Sequence, residues 1–267
     1  MNSAPAIALG DVGKVFVRDD GTALAVLEHV GFEIAAGSFV CIVGRSGSGK
    51  STILNMIAGL IEPSSGAITF ADGSTKRPRL DVGYLTQKET LLPWRDVLRN
   101  VALPLEVRGV PAATREARAR ELLRLVGLSD AEKRYPRELS GGMARRASLA
   151  RMLASDPATL LLDEPFGALD AQLRAELQGE LLRLWQGSGK TIVFVTHDID
   201  EALLLGDRVI ALQSGGRIAV DVDLPVQRPR DVRTVRFAPE FIALHERLLD
   251  ALTTDPGART LSASAAP

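Results

Sequence analysis

The segment GRSGSGKS, residues 44–51, has the residue types and the spacing of a loop that binds phosphate through its backbone. Its glycines let successive N–H groups turn toward a phosphate, and the helical pattern that follows would add the positive end of a helix. Lys50 would reach the β- and γ-phosphates of a nucleotide, and the Ser51 hydroxyl would ligate Mg²⁺. The alternative is a glycine-rich turn with a solvated lysine. The nucleotide-binding residues predicted from this phosphate loop are Gly44, Arg45, Ser46, Gly47, Ser48, Gly49, Lys50, Ser51 and Thr52.

A second segment of the same character, LSGGMARRASLARM, occupies residues 139–152. Ser140, Gly141 and Gly142 precede an arginine-rich helical pattern, which again has the composition of a phosphate-binding loop at a helix N-terminus. One nucleotide needs only one such loop. The second loop therefore requires an explanation beyond a single nucleotide site.

Two consecutive carboxylates, Asp163 and Glu164, end the apolar run LLLDEP. A merely structural strand would place such residues at its edge and not directly after three leucines. Asp163 is suited to hold Mg²⁺ through its water shell, and Glu164 to act as general base on a water in line with the γ-phosphate. The pair predicts hydrolysis in addition to binding. His197 ends a further apolar run, VFVTHD, where the alternative is a structural histidine.

The hydrophobic pattern predicts the elements that carry these residues. Residues 7–40 alternate between apolar and polar positions, which indicates short antiparallel strands. SFVCIVG predicts a buried strand, and after the loop STILNMIAGLI predicts a helix that stops at Pro63. Helical periodicity dominates residues 91–155, and strands return at TLLLDEP and TIVFVTH, separated by the amphipathic AQLRAELQGELLRLW. We predict an α/β fold: a P-loop NTPase core with a parallel sheet, an N-terminal antiparallel β-subdomain and an inserted helical subdomain.

The predicted domain boundaries follow the same pattern. The nucleotide-binding domain would span residues 1–222, with the helical subdomain at about 91–156. A short C-terminal helical extension would follow at 223–252. The remaining residues, 253–267, are too rich in small and polar side chains to fold alone, and we expect a disordered tail.

The composition restricts the classes of function. The 267 residues include 32 Lys and Arg against 33 Asp and Glu, so the net charge of −1 gives no support for binding to nucleic acid or a membrane surface. A single cysteine, Cys41, excludes an internal disulfide, and its apolar surroundings predict a small buried side chain. No apolar run approaches the roughly 18–20 residues that span a bilayer. We expect a cytoplasmic protein unless a partner holds it at a membrane.

Together these segments resemble the ATP-binding cassette (ABC) ATPases over residues 7–222. The resemblance implies that residues 139–143, with Ser140, Gly141, Gly142 and Met143, form a signature loop that closes over the ATP of the opposite subunit. Two copies of the chain would form a head-to-tail dimer that sandwiches two ATP molecules. The two loops of one chain would thus serve two different nucleotides.

The resemblance also implies roles for residues that carry little signal alone. Phe16 matches an aromatic residue that stacks on adenine, although a phenylalanine in the core of a strand is the alternative. Gln87 matches a glutamine that touches Mg²⁺, Asp170 matches an aspartate at the dimer interface, and His197 matches a switch histidine that contacts the γ-phosphate. The implied metal ligands are Ser51, Gln87 and Asp163.

The signature loop departs from the family pattern at two positions. Met143 stands where the family usually has a glutamine, and Arg145 stands where a second glutamine is frequent. Hydrogen bonds from those glutamine side chains to the opposite nucleotide would be lost, whereas Ser140 and the backbone donors remain. We expect slower or retuned hydrolysis at most.

The segments TLLPWRDVLRNVALPLE, DEPFGALDAQLR and THDIDEALLLGDRV resemble the nitrate, sulfonate, taurine and bicarbonate branch of bacterial importers. This resemblance implies a membrane permease as partner, a periplasmic or extracellular solute-binding protein acting through it, and a place at the cytoplasmic face of the inner membrane. Leu91, Leu92, Pro93 and Trp94 would line an apolar groove for a short permease helix. The alternative is that Trp94 belongs to the core of the helical subdomain.

Three other functions stay open at this point. LSGGMARRA also resembles the ATPases of bacterial intermembrane phospholipid transport. A soluble ABC ATPase acting on DNA ends or ribosomes would usually carry two cassettes or long coiled coils, and this chain has one cassette and no heptad run. A P-loop small-molecule kinase would need an acceptor pocket and a lid in place of the signature loop. We expect no nucleic-acid partner.

Overall fold

The computed structural model describes residues 5–73, 81–88, 90–167, 169–225, 228, 230 and 235–254. The chain divides into two compact units. The first consists of Met1–Leu80 together with Ser188–Pro267, and the second consists of Asp81–Gly187. Within the described ranges, no helix is long and apolar enough to cross a membrane.

The elements alternate between strands and helices for most of the chain. In chain order they are β1 (Ile7–Val17), β2 (Ala23–Ile34), β3 (Phe39–Gly44), α1 (Lys50–Ile57), β4 (Ser65–Phe70), β5 (Val82–Leu85), α2 (Val97–Val107), α3 (Ala112–Leu125), α4 (Gly141–Leu153), β6 (Thr159–Asp163), α5 (Ala171–Trp185), β7 (Thr191–Thr196), α6 (Ile199–Leu205), β8 (Arg208–Leu212), β9 (Ile218–Asp223) and α7 (Pro239–Thr253).

The first unit contains the antiparallel sheet predicted from the N-terminal alternation. Its strand order is β2-β1-β4, and β1 pairs antiparallel with both neighbours. The sequence analysis anticipated β1 and β2 but not β4. The register of β1 shifts near Asp11, which has φ 50°, and His29 on β2 has φ 52°. The two exposed side chains meet there, with His29 Nδ1 2.7 Å from Asp11 Oδ1.

The first unit also contains the parallel strands that lead to the phosphate loop. Strand β3 lies between β7 and β8 and is parallel to both, and β9 adds to β8 in antiparallel pairing. All six residues of β3 are buried, as expected for a continuous apolar run with neighbours on both sides. Cys41 lies in this strand, and its burial raises the pKa of the thiol well above its usual value. The parallel sheet of the predicted α/β fold is confirmed.

Helix α1 is shorter than the sequence pattern indicates. It ends at Ile57, with Ala58 as C-cap, well before Pro63. Gly59 has φ 70°, the left-handed conformation that commonly terminates helices. The prediction that the helix runs to Pro63 was therefore wrong, because a glycine ends it first.

The second unit combines a pair of parallel strands with helices. Strands β5 and β6 pair in parallel register, and helices α2, α3 and α4 contact one another. These three helices lie between residues 91 and 155, where helical periodicity predicts them. The four-residue strand β5 was not anticipated. Whether residues 91–156 form a separate subdomain stays a prediction.

The C-terminal region of the first unit is tied to the end of α6 by two arginines. Arg228 donates from Nε to Asp207 Oδ1 at 2.8 Å, and Arg230 donates to the carbonyl oxygens of Leu203 and Leu204 at 3.1 and 3.2 Å. Burial lowers the pKa of Arg230 to about 10, so its guanidinium stays charged at neutral pH. Helix α7 contacts α6, β8 and β9. Most of the predicted tail, residues 255–267, lies outside the described residues.

Gly66 at the start of β4 provides a test of the antiparallel sheet. Its φ is 72°, and a Cβ there would meet the carbonyl oxygens of Gly10 and Asp11. We expect Gly66→Ala to lower the free energy of unfolding by about 3 kcal/mol, because backbone strain and a clash with β1 act together. Urea denaturation followed by circular dichroism measures this change.

Gly73 supplies the matched control. It has φ 64°, and no atom of the described residues lies within 4 Å of a Cβ placed there. Gly73→Ala should therefore lower the free energy of unfolding only by the backbone strain, about 1 kcal/mol. Equal losses for the two variants would contradict the close approach of β4 to β1.

Candidate functional site

The phosphate loop lies in the first unit, between the end of β3 and the start of α1. Gly49 has φ 93°, and a Cβ at this position would approach Leu27 Cδ2 to 2.5 Å and the Val26 carbonyl oxygen to 3.0 Å. A Cβ on Gly44 would approach Ser48 Oγ to 2.6 Å and the Leu212 carbonyl oxygen to 2.7 Å. Both glycines are thus required by sterics, and they let the chain turn sharply into the helix.

The N-terminus of α1 is left open for an anion. No side chain of the described residues caps this helix, and its first turn contains no acidic residue. The N–H groups and the positive end of the helix dipole would therefore attract a phosphate. Ser48 Oγ is buried in the same loop and has no hydrogen-bond partner among the described residues. The loop thus fits the predicted nucleotide phosphates.

Lys50 is folded back over the loop that precedes it. Its Nζ donates to the carbonyl oxygens of Gly44 and Arg45, each at 2.8 Å, and the side chain is buried. A phosphate oxygen would be a stronger acceptor than either carbonyl, because it carries charge. Ser51 and Thr52 follow in the first helical turn and are half-buried. Their contacts with Mg²⁺ and the α-phosphate stay predictions.

Phe16 and His197, the other predicted residues of the first unit, are both exposed. The Phe16 ring on β1 is 39% exposed, with Lys14 Nζ 5.0 Å from its centroid. The alternative of a strand-core phenylalanine is therefore wrong. His197 directly follows β7, in a turn where Asp198 donates its N–H to Thr196 Oγ1 at 3.1 Å. Asp198 then caps α6, so the histidine is presented at a strand end and is not part of the core.

The second unit brings the predicted general base, Glu164, together with a predicted metal ligand, Gln87. Asp163 ends β6 and is buried, and Glu164 follows it with φ 44°. Such a left-handed conformation costs a residue other than glycine about 1–3 kcal/mol and is found mostly where the surroundings impose it. Gln87, two residues after β5, donates from Nε2 to Glu164 Oε2 at 3.2 Å. The glutamine and the candidate base are thus in contact.

Arg145 of α4 lies beneath both of these loops. The sequence analysis named Arg145 but did not predict this placement. Its buried guanidinium donates to the carbonyl oxygens of Asp163, Glu164 and Pro165 at 2.8, 3.1 and 2.8 Å. It also donates to the carbonyl oxygens of Thr86 and Gln87 at 2.5 and 3.4 Å. Ser148 and Leu149, three and four positions further along the helix, are buried as well.

The signature loop begins α4 and lies against the start of α5. Ser140 is the N-cap of α4, and its Oγ accepts the Met143 N–H at 3.3 Å. A Cβ on Gly142 would come within 3.0 Å of Leu173 Cδ2. Asp170 caps α5 by accepting the Leu173 N–H at 2.9 Å. The structure thus brings together Ser140, Gly141, Gly142, Met143 and Asp170 at two adjacent helix N-termini.

Trp94 is exposed, which rules out the alternative that it is core. Its side chain is 71% exposed in the segment before α2. The buried Asn100 fixes this segment, because its Oδ1 accepts the Leu92 N–H at 2.7 Å and its amide donates to the carbonyl oxygens of Leu92 and Arg95 at 3.1 and 2.9 Å. The sequence analysis did not single out Asn100.

The groove beside Trp94 differs from the expected apolar slot. It has a volume of about 440 Å³ and is lined by Trp94, Arg95, Arg99, Ala102, Glu106, Arg115 and Glu116. Leu91, Leu92 and Pro93 are not among the residues that line it, and a permease groove formed by them stays a prediction. The charged lining arises because Arg95 and Arg115 converge on Glu106 Oε2, at 2.8 and 3.8 Å.

No cluster of three or more His, Cys, Asp and Glu side chains that could hold a metal occurs in the part of the chain that the structure describes. A site made by protein carboxylates alone is therefore not indicated there. The predicted ligands Ser51, Gln87 and Asp163 include one carboxylate, and such a set suits a Mg²⁺ that arrives with nucleotide phosphates and water.

Known proteins with similar sequences are ATP-binding subunits of transporters. The taurine import ATP-binding protein TauB of Rhizobium johnstonii is 43% identical, over 87% of this chain and 91% of that protein. The nitrate import ATP-binding protein NrtD of Synechococcus elongatus is 39% identical, over 90% of this chain and 89% of that protein. A solved dimeric ATP-binding cassette in a post-hydrolysis state, bound to ADP and Pi, superposes with a TM-score of 0.76 at 33% identity, covering 83% of this chain and all of that one.

The sequence profile of the ABC transporter family matches residues 27–167, more than half of the chain. The match includes the phosphate loop, the signature loop and the two consecutive carboxylates. It excludes the small-molecule kinase considered above, since that class lacks a signature loop. The chain therefore belongs to the ABC transporter family, as an ATP-binding cassette that hydrolyses ATP.

Proposed function

We propose that this chain is the ATP-hydrolysing subunit of a bacterial binding-protein-dependent importer for nitrate, a sulfonate such as taurine, or a similar small solute. The observation that carries the ATPase half is the open N-terminus of α1, where Gly49 and the folded Lys50 leave backbone donors for phosphate. The similarity to subunits named for taurine and nitrate import supports the importer half.

In the proposed mechanism the predicted residues divide phosphate binding, base catalysis and metal binding among them. The phosphate loop and Lys50 bind the phosphates, Phe16 stacks on adenine, and Glu164 takes the proton from the attacking water. Gln87 holds the Glu164 carboxylate through the hydrogen bond between them. His197 contacts the γ-phosphate from its strand end. Mg²⁺, when bound, would offset the phosphate charge, with Ser51, Gln87 and Asp163 as its candidate ligands.

We propose that a second copy of the chain completes each ATP site. Ser140 and the N–H groups at the start of α4 would face the γ-phosphate of the ATP held by the partner, and Asp170 would lie at the dimer interface. Ser140 and Gly141 are exposed, which such a contact requires. The dimeric state of the similar cassette supports this arrangement.

The permease would dock beside Trp94, at the cytoplasmic face of the membrane. An exposed aromatic residue beside a groove with charged walls suits a short amphipathic helix from a membrane subunit. The solute-binding protein would act on the other side of the membrane, through the permease. A second candidate function is intermembrane phospholipid transport, which the segment LSGGMARRA favours.

Glu164→Gln tests the general base. The substitution keeps the size of the side chain and removes its basicity, so we expect turnover to fall at least about a hundredfold while ATP binding persists. Phosphate release and equilibrium binding of labelled ATP measure the two effects. Glu176→Gln on the exposed side of α5 is the control and should leave both unchanged. Near-normal turnover of Glu164→Gln would refute the assigned role.

Ser140→Arg tests the two-loop arrangement. We expect this variant to bind ATP as a monomer but to lose turnover, because the bulky side chain faces the partner's nucleotide. Lys50→Ala should instead abolish ATP binding, because Lys50 belongs to the chain's own phosphate loop. Calorimetric measurement of ATP binding to the monomeric variants distinguishes the effect of Ser140→Arg from that of Lys50→Ala. Weakened monomer binding in Ser140→Arg would mean that both loops serve one nucleotide.

Trp94→Ala tests the permease contact and the choice between transport systems. Affinity purification of the wild-type chain from native membranes in mild detergent should recover a multi-span permease. Trp94→Ala should reduce that recovery at least about tenfold with unchanged ATPase activity of the free chain, because an exposed tryptophan in an interface contributes strongly to affinity.

Val107→Ala is the control, since Val107 is 79% exposed on α2 and does not line the groove. Recovery of a lipid-binding partner would favour phospholipid transport, and a soluble assembly or a ribosome would contradict the transport function.

A further inference from the structure

One buried side chain, that of Arg145, contacts both of the loops that carry Glu164 and Gln87. The guanidinium of Arg145 donates to three successive carbonyl oxygens at residues 163–165 and to two at residues 86–87. The first segment carries Glu164, and the second carries Gln87, whose amide donates to the Glu164 carboxylate. Arg145, Gln87 and Glu164 are therefore each in contact with the other two, through backbone carbonyl groups for Arg145 and through side chains for Gln87 and Glu164.

The conformation of Glu164 requires such a restraint. Its φ of 44° is unfavourable for a residue with a side chain, so the backbone would relax if its surroundings released it. The carbonyl oxygens on both sides of this peptide accept from Arg145. Arg145 thus holds the strained Glu164 through the carbonyl groups of the residues on both sides of it and through the carbonyl group of Glu164 itself.

The chemistry of the contact is specific to a guanidinium. Five N–H donors in a rigid plane can serve several carbonyl oxygens on two segments at once, whereas a lysine ammonium has three donors around one point. A glutamine, the residue that the family frequently has here, offers two donors on a shorter side chain. A buried charge without hydrogen-bond partners is costly in free energy. A movement that took the carbonyl groups away from Arg145 would therefore be unfavourable.

Arg145 also belongs to the helix that begins at the signature loop. Ser140 caps α4, and Arg145 lies in the second turn of the same helix. A shift of α4 would therefore be passed to the backbone of Glu164 through a rigid element and strong hydrogen bonds. The signature loop and the backbone of Glu164 are thus joined through one helix within the second unit.

We propose that Arg145 is a positioning residue for hydrolysis, which holds the backbones of Glu164 and Gln87 against α4 so that the Glu164 carboxylate stays aimed at the attacking water. The proposal rests on the proposed role of Glu164 as general base. In this role Arg145, which replaces the usual glutamine, would contribute to turnover without touching nucleotide.

Arg146, the next residue, is the matched control. It also donates from its guanidinium to two backbone carbonyl oxygens, those of Val126 and Gly127 at 2.9 and 3.2 Å. Neither residue belongs to the loops of Glu164 or Gln87. Arg146 is half-buried. Its removal should reproduce the loss of an arginine of α4 that donates to backbone carbonyl groups, without disturbing Glu164 or Gln87.

The experiment compares Arg145→Met, Arg145→Lys and Arg146→Met well below the unfolding midpoint of each. We expect kcat of Arg145→Met to fall about tenfold to a hundredfold, since misplacement of a catalytic group by about 1 Å has effects of this size. Its affinity for ATP should stay within about twofold, and Arg145→Lys should recover part of the activity. Arg146→Met should lose stability but keep kcat. If Arg145→Met does not fold, Arg145→Lys carries the same comparison.

A double-variant cycle separates this inference from the proposed function. In a Glu164→Gln background Arg145→Met should cause no further loss, because the base that it positions is already gone. A fully additive loss, or a normal kcat in folded Arg145→Met and Arg145→Lys, overturns the positioning role while Glu164 stays the base. High turnover of Glu164→Gln alone shows instead that the base assignment has failed, and the positioning role fails with it.

Discussion

The close approach of the phosphate loop to β2 is the constraint on which the nucleotide site depends. Gly49 lies so near Leu27 and Val26 that a single methyl group would not fit, and Gly216 of the β8–β9 turn also packs against the same two residues. Leu27 is almost completely buried at this point. The antiparallel sheet and the parallel strands of the first unit thus press the loop into a conformation that leaves the N–H groups of α1 open. Any side chain at Gly49 would force this loop away from β2.

Three helix N-termini have different caps. Helix α1 follows a glycine in the left-handed conformation, whereas α4 and α5 follow residues with extended backbone. Helix α1 follows a glycine and has no side-chain cap among the described residues, so it can accept a phosphate of the chain's own nucleotide. Helix α4 is capped by the Ser140 hydroxyl over a long 3.3 Å contact, and helix α5 by the Asp170 carboxylate at 2.9 Å. A neutral cap leaves α4 able to receive an anion, whereas the charged cap of α5 satisfies its own helix. This difference in caps supports the proposal that the two loops serve two different nucleotides.

The sequence predicted those features that residue type and spacing encode. Glycines and a lysine at fixed spacing located the phosphate loop, and three leucines before Asp163 located a strand end with carboxylates. The short strands β4 and β5 escaped notice, because four to six residues give too little periodicity. The end of α1 at Gly59 and the exposure of Trp94 depend on local conformation that the pattern does not record. The contacts of Arg145 were hidden for a further reason: their acceptors are backbone carbonyl groups, which every residue has.

In the proposed mechanism ATP joins two chains, and sedimentation velocity of the Glu164→Gln variant tests this most directly. With Mg²⁺ and saturating ATP we expect a dimer that holds one ATP per chain, and with ADP we expect monomers. Chains that are saturated with ATP and still sediment as monomers would contradict the assignment of the two loops to two different nucleotides.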